Sequence, residues 1–398
     1  YTVHQVSGWE GSELMPDFDV FISQNGATYR YLINNAPFNS FIKIVKQDAE
    51  TGKTIPYAGA GFKIYDPDGN PVTMTFTYPT PTTIDVFYTN AEGSLVTPEK
   101  LPFGKGYSIV EVQAPYGYVL DETPVYFDVT EDNSTEESGV TIVKVDKPNM
   151  AQKGTIAVEK TGEVFFGVSV IGGVDESGNE LPTIYQPQYE KCGLPGAVYE
   201  IIAAEDIITP DGTVRNQNGE VVDTVTTDEN GTAVSRELYL GKYEVREITA
   251  PHGMVLNPEP HFVELIYAGQ NVAVTETATS FENERQKVEI SLVKSIEQNE
   301  RFGIGTNGEM KNISFGLFAA EEIVSASGTS IPANGLVEII SLNEDGTAKI
   351  KTDLPFGSYY VQELATDSHY KLSDTKYPVT FAYVGQDTAV VKIAANDG

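Results

Sequence analysis

The chain has 398 residues, of which 57 are acidic and 26 are basic, and its net charge is −31. Such a surface excludes the charge attraction that draws proteins to nucleic acid or to an anionic membrane. No apolar run approaches the ~20 residues of a membrane span, so no membrane-spanning segment is expected. The length corresponds to about three domains.

The composition is typical of strands and turns, with 36 Gly, 22 Pro and 22 Tyr. Cys192 is the single cysteine, which excludes an intrachain disulfide. The four histidines are scattered and none pairs at metal-ligand spacing. No metal and no cofactor are therefore expected.

The first 41 residues differ from the rest. The chain starts within a strand-like stretch, without a signal peptide, and is interpreted as a fragment of a longer protein. Residues 1–41 are predicted to be the C-terminal tail of a preceding domain. In this interpretation Gln5 occupies a position that is glutamate in the repeats below, and Asn39 follows 34 positions later.

Three repeats follow. Each contains a Tyr-x-Val-x-Glu pattern or a close variant, within YSIVEVQAPYGYVLD, YEVREITAPHGMVLN and YYVQELATDSHYKLSD. This pattern aligns Glu111, Glu247 and Glu363. Each repeat also opens with a lysine-bearing strand, which aligns Lys46, Lys160 and Lys294.

The repeats are predicted to be three domains at residues 42–149, 150–286 and 287–398. Their strands are short and spaced roughly 8–12 residues apart, which is typical of β-sandwiches. The connecting segments VDKPNMAQK and FENERQK are short and polar, so the domains are expected to stand end to end as an elongated, monomeric rod.

The second repeat carries an insertion at 161–192. Its alternating Phe, Val and Ile residues predict an extra hairpin. The insertion is interpreted as a length variant of a connection; a ligand site is the alternative.

The pattern resembles the Cna B-type, or SpaA-like, domains of Gram-positive pilins and surface adhesins. The first-strand lysine, the Gly-Ala-x-aromatic turn, the Glu-x-x-Ala-Pro-x-Gly-Tyr box and a last-strand Asn or Asp carry the resemblance. It implies tandem prealbumin-like, immunoglobulin-like β-sandwiches, in which the lysine and the Asn or Asp form an amide bond by themselves.

Carried over by position, Lys46 and Lys160 match the nucleophiles, and Glu111 and Glu247 match the proton shuttles. The acceptors match Asp146 and Asn283, which lie 35 and 36 positions after their glutamates. In the third domain, Lys294 and Glu363 match the first two roles. The same spacing leads to position 399, one residue beyond Gly398, so this domain is expected to be truncated, with Asn396 as the nearby candidate.

The chemistry requires these residue types. Burial lowers the pKa of an amine and produces its free form, while a buried carboxyl group can keep its proton. As an acid, the carboxyl can activate the acceptor carbonyl and pass protons to the leaving group. Folding holds the groups in contact, which replaces a cofactor or an energy source. The reaction occurs once per domain, so the protein is not expected to be an enzyme.

The expected function is therefore structural: stalk domains of an extracellular bacterial protein, attached to the cell wall or secreted. Two alternatives remain open. One domain could bind a host or matrix ligand as an adhesin, or the domains could be accessory modules of a secreted carbohydrate-active enzyme. A host protein or a glycan is the expected partner, bound through domains outside this sequence.

Overall fold

The computed structural model of the protein describes residues 1–77, 79–174, 177–178 and 180–395. About half of the chain (51%) is strand. The helices in this described part are two short 3-10 turns, Glu300–Phe302 and Glu309–Asn312, and none is long and apolar enough to cross a membrane. The predicted all-β sandwich fold is confirmed.

The N-terminal segment precedes the sandwiches. Its strands β1 (Thr2–Val3) and β2 (Phe18–Asp19) pair antiparallel.

The first sandwich has eleven strands around one apolar core. Its strands are β3 (Asn39–Asp48), β4 (Gly61–Tyr65), β5 (Met74–Phe76), β6 (Thr82–Ile84), β7 (Phe87–Tyr88), β8 (Ser94–Val96), β9 (Leu101–Pro102), β10 (Gly104–Gln113), β11 (Val125–Val129), β12 (Ser134–Glu137) and β13 (Val140–Asn149). One sheet has the order β11-β10-β4-β7 and the other β12-β13-β3-β8.

The second sandwich repeats this arrangement. Its strands are β14 (Lys153–Val174), β15 (Glu180–Gly193), β16 (Val198–Ala203), β17 (Ile207–Ile208), β18 (Val214–Asn216), β19 (Val221–Thr226), β20 (Thr232–Val234), β21 (Leu238–Tyr239), β22 (Gly241–Thr249), β23 (His261–Leu265) and β24 (Val274–Asn283). One sheet has the order β19-β16-β22-β23, and the other is built on β14, which pairs with β15, β20, β21 and β24.

The third sandwich has nine strands. They are β25 (Lys287–Val293), β26 (Ser314–Ala319), β27 (Ile323–Val324), β28 (Ser330–Ile331), β29 (Leu336–Ser341), β30 (Thr347–Lys349), β31 (Gly357–Ala365), β32 (Lys376–Phe381) and β33 (Val390–Ala395). One sheet contains β29-β26-β31-β32 and the other β30-β25-β33.

In all three sandwiches, the first strand lies parallel to the last: β3 to β13, β14 to β24 and β25 to β33. Successive side chains of a strand point to opposite faces. From Val143 to the end of β13, the buried residues are therefore Val143, Val145, Lys147 and Asn149, while Lys144, Asp146 and Pro148 are exposed. This alternation decides which residues reach the core beside β3.

Two similar joints connect the sandwiches. At the first, the side chain of Gln152 accepts a hydrogen bond from Ala268 N (2.8 Å) and donates to Gly269 O (3.0 Å). From the other side, the side chain of Gln270 accepts from Ala114 N (2.9 Å). The connector between β13 and β14 thus satisfies backbone groups of the second sandwich, and a loop of the second sandwich satisfies one of the first.

Gln286 and Gln386 repeat this exchange at the second joint. Gln286 accepts from Val384 N (3.1 Å) and donates to Gly385 O (3.0 Å). The side chain of Gln386 accepts from Ala250 N (2.8 Å). Because the hydrogen bonds match in partner and direction, the two joints share one geometry.

The insertion forms a hairpin, as its alternation predicts. It consists of the C-terminal half of β14 paired antiparallel with β15, and it docks on the third sandwich. Ile184 of β15 pairs with Leu336 of β29. Phe165, Val168 and Tyr185 pack against the third apolar core.

Candidate functional site

The first candidate site lies inside the first sandwich. Lys46 of β3, Glu111 of β10 and Asn149 of β13 are each 0–1% exposed. The Lys46 Nζ donates to Glu111 Oε1 at 2.7 Å and also contacts Asn149 Oδ1. Asn149 Nδ2 donates to Glu111 Oε2 at 2.6 Å. An amine, a carboxyl group and a primary amide therefore contact one another.

Surrounding groups orient this triad. Asn149 Nδ2 also donates to Val119 O at 2.6 Å, and Asp121 N donates to Glu111 Oε2 at 3.1 Å. Burial lowers the pKa of Lys46 to about 8, although the neighbouring Glu111 carboxylate opposes this shift. Lys46 consequently gives up its proton far more easily than an exposed lysine.

Asp146, the predicted acceptor of the first domain, is not in this site. Its side chain is exposed and pairs with Lys144 at 3.0 Å. The reason is strand alternation: Asp146 lies opposite Val45, whereas Lys147 lies opposite Lys46 and Asn149 opposite Asp48. The assignment is corrected to Asn149, which lies on the face that Lys46 uses.

The second site contains the predicted residues Lys160, Glu247 and Asn283, all buried. Lys160 Nζ contacts Asn283 Oδ1 and lies 2.9 Å from Glu247 Oε1. Asn283 Nδ2 donates to the same carboxylate oxygen at 3.1 Å. Burial lowers the pKa of Lys160, and the Glu247 carboxylate opposes this change.

Aromatic rings surround this second lysine. The Lys160 Nζ lies 5.9 Å from the ring centroids of both Tyr199 and Phe281. The Tyr199 hydroxyl lies 3.5 Å from Glu247 Oε1, and burial raises the pKa of this phenol. The second site thus uses aromatic side chains in its wall.

The third site is more open. Lys294 Nζ lies 3.1 Å from Glu363 Oε1, and the lysine side chain is 28% exposed. The parallel pairing of β25 with β33 is described as far as Leu292 and Ala395. Asn396 lies outside the described residues, so the acceptor of this domain stays a prediction.

One hydrogen bond recurs at all three glutamates. A backbone N–H ten residues further along the chain donates to Oε2 of Glu111, Glu247 and Glu363; the donors are Asp121, Asn257 and Ser373. This bond fixes the carboxyl orientation in each sandwich.

The N-terminal segment contains a comparable contact. Met15 N donates to Gln5 Oε1 at 2.8 Å, again from ten residues along, and Asn35 Nδ2 contacts the same oxygen at 3.2 Å. Asn39, which spacing had paired with Gln5, instead begins β3 and bonds Pro37 O. Asn35 is therefore the residue that meets Gln5.

These side chains offer chemistry without a bound ion. The described residues contain no group of three or more His, Cys, Asp or Glu side chains arranged to hold a metal. A neutral lysine amine is a nucleophile, and a neighbouring carboxyl can transfer protons to and from an amide. The first two sites bring these three functional groups together, whereas the third brings together the amine and the carboxyl.

Comparisons with known proteins agree with this architecture. The curated "Trypsin-resistant surface T6 protein" of Streptococcus pyogenes serotype M6 is 25% identical over 147 residues, which cover 36% of this chain and 26% of the relative. This chain therefore spans about a quarter of that relative's length.

Solved structures are also similar. The Bacillus anthracis TIE protein is 22% identical with a TM-score of 0.51, covering 90% of this chain and 51% of that one. The major pilin subunit BcpA of Bacillus cereus is 16% identical with a TM-score of 0.30, covering 89% of this chain and 98% of that one. The first likeness supports the fold.

A family model gives the broadest match. The model "SpaA: Prealbumin-like fold domain" matches residues 40–144, 187–279 and 295–397, one segment in each sandwich. These segments include most of the chain and leave out the N-terminal segment and the first part of the hairpin, up to residue 186. The chain belongs to the family of SpaA prealbumin-like fold domains.

Proposed function

We propose that this chain is a stretch of the stalk of a bacterial surface protein, stiffened by amide bonds that it forms itself. The bonds join Lys46 to Asn149 and Lys160 to Asn283. The observation that carries the proposal is the buried Lys–Glu–Asn triad, which occurs in two sandwiches in the same strand register. Two independent copies of such a costly buried arrangement favour a chemical role over chance.

The reaction follows from the contacts. A proton passes from the Lys46 ammonium to Glu111, because apolar surroundings favour the neutral pair over two buried charges. The neutral Nζ attacks Asn149 Cγ while the Glu111 carboxyl hydrogen-bonds the amide. The C–N bond of the side-chain amide breaks as its nitrogen takes the proton from Glu111. Nζ passes a second proton to the Glu111 carboxylate, and ammonia leaves. Lys160, Glu247 and Asn283 follow the same sequence.

Each bond would join the first strand of a sandwich to its last. Tension entering along β3 would cross from Lys46 to Asn149 and pass directly into the segment leading to β14. The residues between these two positions would then carry little of the load. This geometry suits a stalk, which must transmit force without unfolding.

An extracellular location, attached to the cell wall or secreted, belongs to the same proposal. The Streptococcus relative is named as a trypsin-resistant surface protein, and resistance of this kind is expected from a covalently closed sandwich. The exposed Cys192 is the only cysteine of the sequence, so an amide bond would supply the covalent closure that disulfides give other extracellular domains.

Intact-protein mass spectrometry tests the proposal. The purified chain should weigh less than its sequence by the mass of two ammonia molecules. Peptide mapping should then identify the branched peptides Lys46–Asn149 and Lys160–Asn283. The double variant E111A/E247A is the control and should retain both ammonia groups. A wild-type mass equal to that of the unmodified sequence would overturn the proposal.

The hairpin gives less support to a ligand-binding adhesin domain than the buried triads give to a stalk. The aromatic residues of the insertion include Phe165, Tyr185 and Tyr189. The first two pack against the third core, and the Tyr189 hydroxyl donates to Asp353 O at 3.2 Å. The third sandwich thus covers the face of the hairpin that carries these three residues, whereas Val170 and Ile171 of β14 are exposed.

A further inference from the structure

A second buried lysine lies beside the first candidate site. Lys147 of β13 is 1% exposed and lies directly opposite Lys46 in the parallel pair β3–β13. Its Nζ donates to Asp121 Oδ2 and to Thr123 O, both at 2.8 Å. A buried ammonium group is costly unless it is paired and hydrogen-bonded. This one is held by the segment that follows the glutamate box.

That segment also orients the reacting groups. Val119 supplies the carbonyl that accepts from Asn149 Nδ2, and Asp121 supplies the N–H that donates to Glu111 Oε2. Holding residues 119–123 in place therefore fixes both the carboxyl and the amide relative to Lys46. Lys147 is, with Asn149, one of two side chains of the last strand that hold this segment.

The positive charge of Lys147 also affects the ionisation of its two neighbours, Asp121 and Lys46. Partial burial opposes ionisation of Asp121, yet the hydrogen bond and charge of Lys147 help lower the pKa of this carboxyl to about 2. After burial, which is the main cause, the positive charge of Lys147 further lowers the pKa of Lys46, whereas the carboxylate of Asp121 raises it. The charge of Lys147 thus makes it easier for its neighbour to lose a proton.

The second sandwich uses another residue at this place. Phe281 lies opposite Lys160. The centroid of its ring lies 4.8 Å from the ring centroid of Tyr199 and 4.0 Å from that of His261. Asn257 replaces Asp121 and still donates its N–H to Glu247 Oε2 at 2.9 Å. The fold therefore accepts a large apolar side chain here, so stability of the sandwich alone does not require a buried lysine.

We infer that Lys147 is a positioning residue for amide-bond formation in the first domain, acting through Asp121 and the 119–123 segment. The inference rests on the proposed function, because it assigns a role within that reaction. Its charge also disfavours the protonated state of the adjacent nucleophile. The second domain obtains the same geometry from aromatic packing.

The test follows bond formation in the full chain during cell-free synthesis, using timed mass spectrometry of the two branched peptides. K147F, which copies the second domain, and K147M remove the charge. D121N weakens the ion pair that Lys147 makes. K147F and K147M should slow formation of the Lys46–Asn149 bond about tenfold, because they release the 119–123 segment and remove a charge that favours the neutral amine. D121N should slow it less, because the loss of the Asp121 charge by itself lowers the pKa of Lys46. The Lys160–Asn283 bond is the control in the same molecules and should form at its usual rate.

K147R keeps the positive charge and should restore most of the rate, which a purely space-filling role would not predict. Hydrogen exchange of β3 and β13 in K147F and K147M reports whether the sandwich still folds. Equal rates in wild type and in a folded charge-free variant would overturn the inference. If wild type forms neither bond, the proposed function itself fails, which is a distinct result.

Discussion

The second and third sandwiches share a fold but differ in the contacts that complete their cores. In the second, Lys160 is fully buried against Glu247 and Asn283. In the third, Lys294 is partly exposed and faces Glu363. The third instead receives the hairpin of its neighbour, whose apolar residues pack against its core.

With the proposed amide bond in the second sandwich, the difference gives two ways to stabilise one fold. A cross-link acts mainly on the unfolded chain, because it shortens the loop that must be ordered. A docked hairpin acts on the folded state, because it buries apolar surface. Loss of the cross-link should lower the stability of a whole domain. Loss of the docked hairpin should lower stability mainly in the strands that the hairpin contacts.

The largest effect is expected for E247A compared with E363A. Lys160 and Asn283 are separated by 123 positions, and closing a loop of ~100 residues contributes about 4–5 kcal/mol. E247A should lower the stability of the second domain by about this amount, whereas E363A should cost the third domain about 1–2 kcal/mol. Calorimetry of the full chain would measure both. Equal losses would remove the proposed distinction between the domains.

We expect the first domain to behave like the second, and the variants N149A and D146A test this expectation. Lys46 and Asn149 are separated by 103 positions, so N149A should also cost about 4 kcal/mol and abolish the first ammonia loss. D146A should keep the ammonia loss and change stability by no more than about 0.5 kcal/mol. Mass spectrometry and thermal unfolding would measure these changes. A missing bond in D146A would restore the original assignment.

The hairpin contribution is isolated by F165A and its neighbour F166A. Phe165 packs against the third core, whereas Phe166 is 38% exposed. F165A should destabilise the third sandwich by about 1–3 kcal/mol, with faster hydrogen exchange in β26, β29 and β31. F166A should have little effect on these strands. If both variants behave alike, the hairpin does not act by packing on this core.

The smallest and most specific effect concerns pH in the first domain. The neutral pair of the Lys46 amine and the Glu111 carboxylic acid contains the same number of protons as the ion pair. The rate of amide-bond formation should therefore vary little with pH below the Lys46 pKa of about 8. Above it, the shared proton is lost and Glu111 can no longer act as an acid. Rates from cell-free synthesis between pH 6 and about 9.5 should therefore fall at the alkaline end. A rate that keeps rising would mean that Glu111 does not donate a proton.

Much of this arrangement could be predicted from sequence. The repeats located the three lysines and the three glutamates, because strand register and the glutamate box recur with similar letters. The acceptor of the first domain was wrong because counting positions ignored the two-residue period of a strand. In VKVDKPN, Val143, Val145 and Lys147 share a face that includes Asn149 and excludes Asp146. A check of this parity would have found the acceptor and Lys147.

Other features depend on contacts between domains. The alternation of the hairpin showed that it would have an apolar face, but it contained no signal for the surface that the face would meet. The docking of Phe165 and Tyr185 on the third core depends on how two separate sandwiches are oriented. The joints had a local signal in the sequence, since Gln152 and Gln286 each follow the buried asparagine of the preceding strand by three residues.

The glutamine joints also have a consequence for how such a chain can change in evolution. Each joint has one half at the end of a sandwich (Gln152 or Gln286) and the other in a loop of the next (Gln270 or Gln386). The second sandwich carries both halves, one at either end. A duplicated copy of it would therefore fit between its neighbours without a newly evolved interface. Gene duplication could thus lengthen the protein by one whole domain at a time.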